Sequence, residues 1–243
     1  MLRRELPERV ARLLLLLAVL TASACSGAVP APPASERFEP FEPGAAAASA
    51  VTGVVILGDS ITAGLGLVVE ESFPSQLQTL FIEEGYSEVE IINAGLSGDT
   101  TAGGLRRVDT VLTPDVRIAV VALGGNDALR GLSVADTKRN LAAIIDGFLE
   151  SGVSVLLTGM ESPTNLGEDY RANFRGAFQD LSVEYVGRIR FVPFLLEGVA
   201  GMPALNQGDG IHPNAEGAGR IAELLYPALR DLVDEIPAGP VTR

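Results

Sequence analysis

Beyond residue 50 the chain alternates short, mostly apolar runs with longer stretches in which apolar positions recur at helical spacing. Val51–Leu57, Val89–Ile92, Val116–Leu123, Val153–Thr158 and Ile189–Val192 are rich in β-branched residues and largely apolar throughout. Runs of that kind predict strands covered on both faces. Between them the spacing predicts helices near 73–84, 100–112, 133–151 and 169–187, with a last one near 214–234. The helix over 133–151 carries Leu141, Ile144, Ile145, Phe148 and Leu149 along one stripe. Strand–helix alternation over 51–235 predicts an α/β domain, with a parallel, doubly wound sheet between two helical layers. Ligands on such sheets bind beyond the carboxyl ends of the strands. No repeat of useful period is present, so solenoids and propellers are set aside.

Residues 1–50 break this pattern. Arg3, Arg4, Arg9 and Arg12 form a positive end, and Leu13 to Leu20 form an apolar run too short to span a membrane. Small residues follow at Ala22, Ser23 and Ala24, so 1–24 is expected to be an export signal. Cys25 comes next, and the string resembles a bacterial lipobox, with Ala22 standing where leucine is usual. Plain Ala-x-Ala cleavage, with Cys25 incidental, also fits. Acylation of Cys25 is the favoured alternative, because the only cysteine lies where acylation needs it. Residues 25–50 contain Pro30, Pro32, Pro33, Pro40 and Pro43 and read as an extended tether. Residues 236–243 read as a tail. The expected location is therefore outside the cytoplasm, with a lipid anchor as the only attachment to a membrane.

Composition narrows the chemistry. At 243 residues and 47% hydrophobic, the chain can bury one sizeable core. Its formal net charge is −13, and residues 1–24 hold four Arg against two Glu, so their removal would leave −15. Such a surface repels nucleic-acid backbones and anionic lipid headgroups. One cysteine excludes an intramolecular disulfide, and one histidine excludes any site built from two imidazoles. Histidine chemistry, if present, must use His212.

Four short motifs fall in the loops where the sheet rule wants them: Gly58-Asp59-Ser60, Asn93-Ala94-Gly95, Gly124-Gly125-Asn126-Asp127 and Asp209-Gly210-Ile211-His212-Pro213-Asn214. A serine hydroxyl needs a positioned base, and an imidazole serves when a carboxylate fixes its tautomer. Asp209 and His212 lie three residues apart on one loop, within reach of each other, while Asn214 suits the cap of the helix that follows. Ser60 sits at a strand tip, with its own N–H available to a substrate oxygen. Gly95 offers a backbone N–H unobstructed by a Cβ, and Asn126 offers a side-chain amide. Each motif read singly is an ordinary turn. Their coincidence is what points to acyl transfer.

Together Gly58-Asp59-Ser60, Gly95, Gly124-x-Asn126-Asp127 and Asp209-x-x-His212 resemble the four consensus blocks of the SGNH (GDSL) hydrolases, over residues 52–233. Within that family the chain looks most like the bacterial periplasmic thioesterase/lysophospholipase/arylesterase group. That likeness rests on the strings Gly58 to Gly64, Asn93 to Gly104 and Asp209 to Asn214. The resemblance implies a flavodoxin-like three-layer α/β/α sandwich without metal or organic cofactor. It implies a triad of Ser60, Asp209 and His212, and an oxyanion hole of the Ser60 N–H, the Gly95 N–H and Asn126. The expected substrate is a small carboxylic ester or thioester with a short- to medium-chain acyl group, and the expected state is a monomer.

Two other functions fit parts of the pattern. A carbohydrate acetyl esterase of the same superfamily would need a polar, open cleft, and a non-catalytic surface lipoprotein would tolerate loss of the triad. Residues 161–170 fall in a loop that shapes the acyl pocket of similar enzymes, and Glu161, Glu168 and Asp169 make it acidic here. Gly64-Leu65-Gly66 lacks the third glycine of a dinucleotide fingerprint, and the only lysine, Lys138, falls in a predicted helix rather than a phosphate loop. Asp99 and Asp127 are expected to brace backbone rather than bind metal.

Overall fold

The computed structural model describes residues 51–236. The export signal over 1–24, Cys25, the tether and all but the first residue of the 236–243 tail lie outside the described residues. The five apolar runs form five strands: β1 (Thr52–Gly58), β2 (Val89–Gly95), β3 (Val116–Ala122), β4 (Ser154–Thr158) and β5 (Ile189–Val192). All pair in parallel, in the order β2-β1-β3-β4-β5. This is the doubly wound arrangement expected, and its strand order reverses between β1 and β3. The central strands are buried almost throughout, whereas the edge strands expose Glu90 and Arg190. The apolar runs thus mark how deep each strand lies.

Among the described residues eight α-helices flank the sheet: α1 (Ser60–Ala63), α2 (Phe73–Glu83), α3 (Thr101–Leu105), α4 (Val108–Val111), α5 (Gly125–Leu129), α6 (Val134–Glu150), α7 (Glu168–Glu184) and α8 (Ala215–Asp234). Helices α2 and α8 pack together as one layer, and α6 packs with α3 and α7 as the other. On α6, Leu141, Ile144, Ile145 and Phe148 are fully buried, as the stripe predicts. On the other layer Leu77 and Phe81 of α2 meet the core beside Leu225 and Leu229 of α8.

One predicted element is corrected. The single helix expected over 100–112 is two short ones, α3 and α4, broken at Arg106–Arg107. Gly103 and Gly104 each weaken a helix by about 1 kcal/mol relative to alanine. Arg107 then leaves helical geometry (φ −118°, ψ 9°). Its guanidinium donates to the Gly58 carbonyl at 2.8 Å, the Ala94 carbonyl at 2.7 Å and Asp99 Oδ2 at 2.7 Å. One side chain thereby ties together the carboxyl ends of β1 and β2 and the loop that follows β2. Helices α1 and α5 were not expected, because four or five residues are too few to display a helical period.

The connection from β5 to α8, residues 193–214, is the long one, and it is held by its own polar groups. Asn206 pairs with Pro213 in an isolated bridge and donates to the carbonyls of Val199 (2.7 Å) and Met202 (2.8 Å). Gln207 donates from its backbone N–H to the His212 carbonyl at 2.8 Å, and from its side chain to Leu65 (2.7 Å) and Pro213 (2.9 Å). Asn214 caps α8 by accepting from the Gly217 N–H at 3.0 Å, as its position predicts. The loop crosses back over the sheet with its geometry fixed.

Two substitutions test this packing. Phe148→Ala should lower unfolding stability by about 3–5 kcal/mol, read as a shift in the denaturant midpoint. Arg107→Met leaves Asp99 without its partner in a site where their side chains are only 18% and 7% exposed. The expected cost is on the order of 3–5 kcal/mol, and a loss below about 1 kcal/mol would show that the ends of β1 and β2 hold without it.

Candidate active site

Three loops leave the carboxyl ends of β1, β2 and β3 side by side, and the 193–214 loop returns across them. Asp59 ends the β1 turn and caps α1, with its Oδ1 accepting from the Ile61 N–H at 3.0 Å. Ser60 is therefore the first helical residue, where a backbone N–H has no partner inside the helix. Its side chain faces the returning loop: Ser60 Oγ lies 2.9 Å from His212 Nε2. Behind the ring, His212 Nδ1 lies 2.6 Å from Asp209 Oδ2. An ionised carboxylate only accepts, so Nδ1 carries the hydrogen and Nε2 turns its lone pair to the hydroxyl. A hydroxyl so placed can lose its proton to the ring as it attacks.

Asp209 is itself immobilised. Its Oδ1 accepts from the backbone N–H groups of Ile211 (2.9 Å) and His212 (3.0 Å), which fold the loop back on its own carboxylate. The bond to the His212 ring, followed by these two, holds the Asp209 carboxyl well below the usual carboxylate range. It stays ionised wherever the imidazole is neutral. The three residues expected to act together are within bonding reach, although 152 positions separate Ser60 from His212.

The floor of the site differs from expectation at one glycine. The Gly95 N–H donates to Asn93 Oδ1 at 2.9 Å, an Asx turn that uses it up. A Cβ on Gly95 would fall 2.2 Å from the Ala63 nitrogen, so this glycine lets β2 press against α1. It does not line the cleft; Gly98, three residues on, does. Gly98 has φ +82°, a conformation that favours glycine, and nothing among the described residues accepts from its N–H. The Asn93-x-Gly95 spacing, itself an Asx signature, was the signal available in the sequence for rejecting Gly95. Asn126 lines the cleft as expected, and its Nδ2 donates to Asp59 Oδ2 at 3.2 Å.

Both other aspartates brace backbone. Asp127 accepts from the Thr101 N–H (2.9 Å), the Thr101 hydroxyl (2.6 Å) and the Thr137 hydroxyl (3.2 Å), joining the β2 and β3 loops. Asp99 accepts from the Thr100 N–H at 3.1 Å and from Arg107. No group of three metal-binding side chains occurs among the described residues.

Above Ser60 the cleft has a volume of about 530 Å³, within the range of small-molecule sites. Its walls include Leu65, Leu129, Met160, Phe194, Leu196 and Ile211. The acidic loop after β4 adds less negative charge than its sequence suggests. Both oxygens of Glu161 accept from Arg175 on α7, and Glu168 is paired with Arg171 one turn further along that helix.

The GDSL-like Lipase/Acylhydrolase family model matches residues 56–220. The chain is 37% identical over 181 residues to the protein named Esterase TesA of Pseudomonas aeruginosa, covering 74% of this chain and 89% of that protein. A crystal structure of TesA superposes with a TM-score of 0.70 at 37% identity, covering 74% of this chain and 99% of that one. AlinE4, described as an SGNH-hydrolase family esterase, superposes with a TM-score of 0.62 at 42% identity, covering 76% and 97%. With its fold, its clustered motifs and these relatives in agreement, this chain belongs to the GDSL-like lipase/acylhydrolase family.

Proposed function

We propose that this chain is an exported serine esterase that cleaves carboxylic esters or thioesters of short- to medium-chain acyl groups through an acyl-serine intermediate. The observation that carries the reading is the file Asp209–His212–Ser60, with contacts of 2.6 and 2.9 Å, at the floor of an apolar cleft.

In this scheme His212 Nε2 takes the proton of Ser60 Oγ as that oxygen bonds to the carbonyl carbon. The carbonyl oxygen becomes an oxyanion against the Ser60 N–H, the Gly98 N–H and the Asn126 amide. Collapse breaks the bond to the leaving oxygen or sulfur, which collects the proton from Nε2. Water then gives a proton to the same nitrogen, attacks the acyl-serine and releases the acid, and Ser60 recovers its hydrogen. Gly98 takes the role first expected of Gly95, because the Gly95 N–H is already engaged. The apolar walls favour an acyl chain over the polar, open cleft that an acetylated sugar would call for.

Export and acylation of Cys25 are part of the same proposal. They rest on the arginine-rich start, the short apolar run and the place of the only cysteine.

A panel of p-nitrophenyl acyl esters tests the chemistry. Ser60→Ala should lose at least about 10⁴-fold in kcat with unfolding stability little changed, and Asp209→Asn should lose kcat steeply by releasing the ring's tautomer. Turnover retained in Ser60→Ala would remove this serine from the mechanism. Intact-mass analysis of the membrane fraction should find acyl mass on Cys25, whereas an unmodified N-terminus elsewhere would refute the anchor alone.

A further inference from the structure

Asp59 is buried, 2% exposed, and has no cation paired with it among the described residues. Its two oxygens point to different loops. Oδ1 holds the turn that carries Ser60 through the Ile61 N–H, and Oδ2 receives the Asn126 side chain from the β3 loop. The approach is close enough that a Cβ on Gly125 would sit 3.1 Å from Oδ2. A carboxylate in this position is costly to bury, and a cap alone does not require it, since asparagine or serine caps a helix as well.

The chemistry of the amide explains what the charge is for. An asparagine side chain has a donor end and an acceptor end that fit the same space, and either can face a neutral partner. An ionised carboxylate accepts only. It therefore selects the orientation in which Asn126 turns its NH₂ toward Oδ2, which spends one N–H and leaves the second for the cleft. A protonated Asp59 can donate instead, and the selection is lost. The relation repeats that between Asp209 and the His212 ring, with an amide in place of the imidazole.

We propose that ionised Asp59 is a positioning residue that fixes Asn126 as a donor to the oxyanion, so that one proton on this buried carboxylate disables that donor. The inference rests on the reading of Asn126 given above. Burial is the largest influence on Asp59 and pushes its carboxyl up to about 6. The Ile61 N–H, the charge of His212 and the Asn126 amide each oppose that rise, and Asp99 adds to it. The raised value places the switch on the acid side of neutrality.

The test uses the full chain and a soluble p-nitrophenyl ester. Asn126→Ala and Asp59→Asn should each lower kcat by roughly 10²-fold or more with little change in KM, the cost of one oxyanion donor. Combined, the two should cost no more than Asn126→Ala alone, because they remove the same interaction. On the acid side, log kcat/KM of the wild type should fall with a slope steeper by about 1 than that of either Asp59→Asn or Asn126→Ala. Losses that multiply in the double variant, or a wild-type slope equal to that of the variants, would overturn the proposal. Asn126→Ala gives the same comparison, so the slope decides the matter even if Asp59→Asn does not fold. If Asn126→Ala keeps full activity, the reading of Asn126 itself fails, a result distinct from failure of the Asp59 switch alone.

Discussion

Asp209 cannot donate a hydrogen bond while it is ionised, and that restriction orders the site above the sheet. Two backbone donors from its own loop occupy one oxygen, and the imidazole N–H occupies the other. The ring is left one tautomer and one direction, with its lone pair on the Ser60 hydroxyl. Asp209 remains 46% exposed at its side chain, so water competes for it, and the energy of the contact alone is modest. Its value lies in direction. The backbone bonds have already immobilised the carboxylate, so little entropy is lost when the imidazole docks.

That direction is useful only if the loops themselves do not move, and here the sheet contributes. The carboxyl ends of three parallel strands deliver their loops to one crevice, but a parallel sheet does nothing to fix loops once they leave the ladder. The remaining constraint comes from polar side chains that reach from one loop to the backbone of another. Arg107 joins the ends of β1 and β2, Asp127 joins the β2 loop to the β3 loop, and Gln207 joins the loop bearing His212 to the loop after α1. Each spends a buried or half-buried polar side chain on hydrogen bonds between loops, as low-dielectric surroundings favour.

The architecture was legible because it depends on local patterns. Each strand run is apolar over its length, and the stripe on α6 has the right period, so a parallel sheet between two helical layers follows from alternation and handedness, whereas the order of its strands does not. The contacts among Ser60, His212 and Asp209 were anticipated for a different reason, since the chain's one histidine follows an aspartate three residues earlier and the family resemblance pairs them with Ser60. What could not be read was which polar group is already spoken for. Gly95 and Gly98 are equally bare in sequence, yet Asn93 consumes the first N–H and the chain's turn at φ +82° frees the second. Arg107 falls in a stretch that scans as helix, and only the position of the β1 and β2 ends, 49 and 13 residues away, shows why the helix breaks there. Asp59 reads as a turn residue until Asn126 is brought beside it, 67 positions later. Long-range hydrogen bonds leave no period behind.

The two carboxylates of the site illustrate how the same group is tuned in opposite directions by its surroundings. Asp209 is half exposed and accepts three N–H bonds; every influence but burial favours its charge, and its pKa is lowered. Asp59 accepts one backbone and one amide hydrogen while buried, and the cost of desolvation outweighs both bonds, so its pKa is raised. Exposure with three donors keeps Asp209 charged. A group held near its titration point has a charge that the medium can remove. Burying Asp59 without a paired cation is what makes it responsive, since an opposite charge beside it would favour the ionised form.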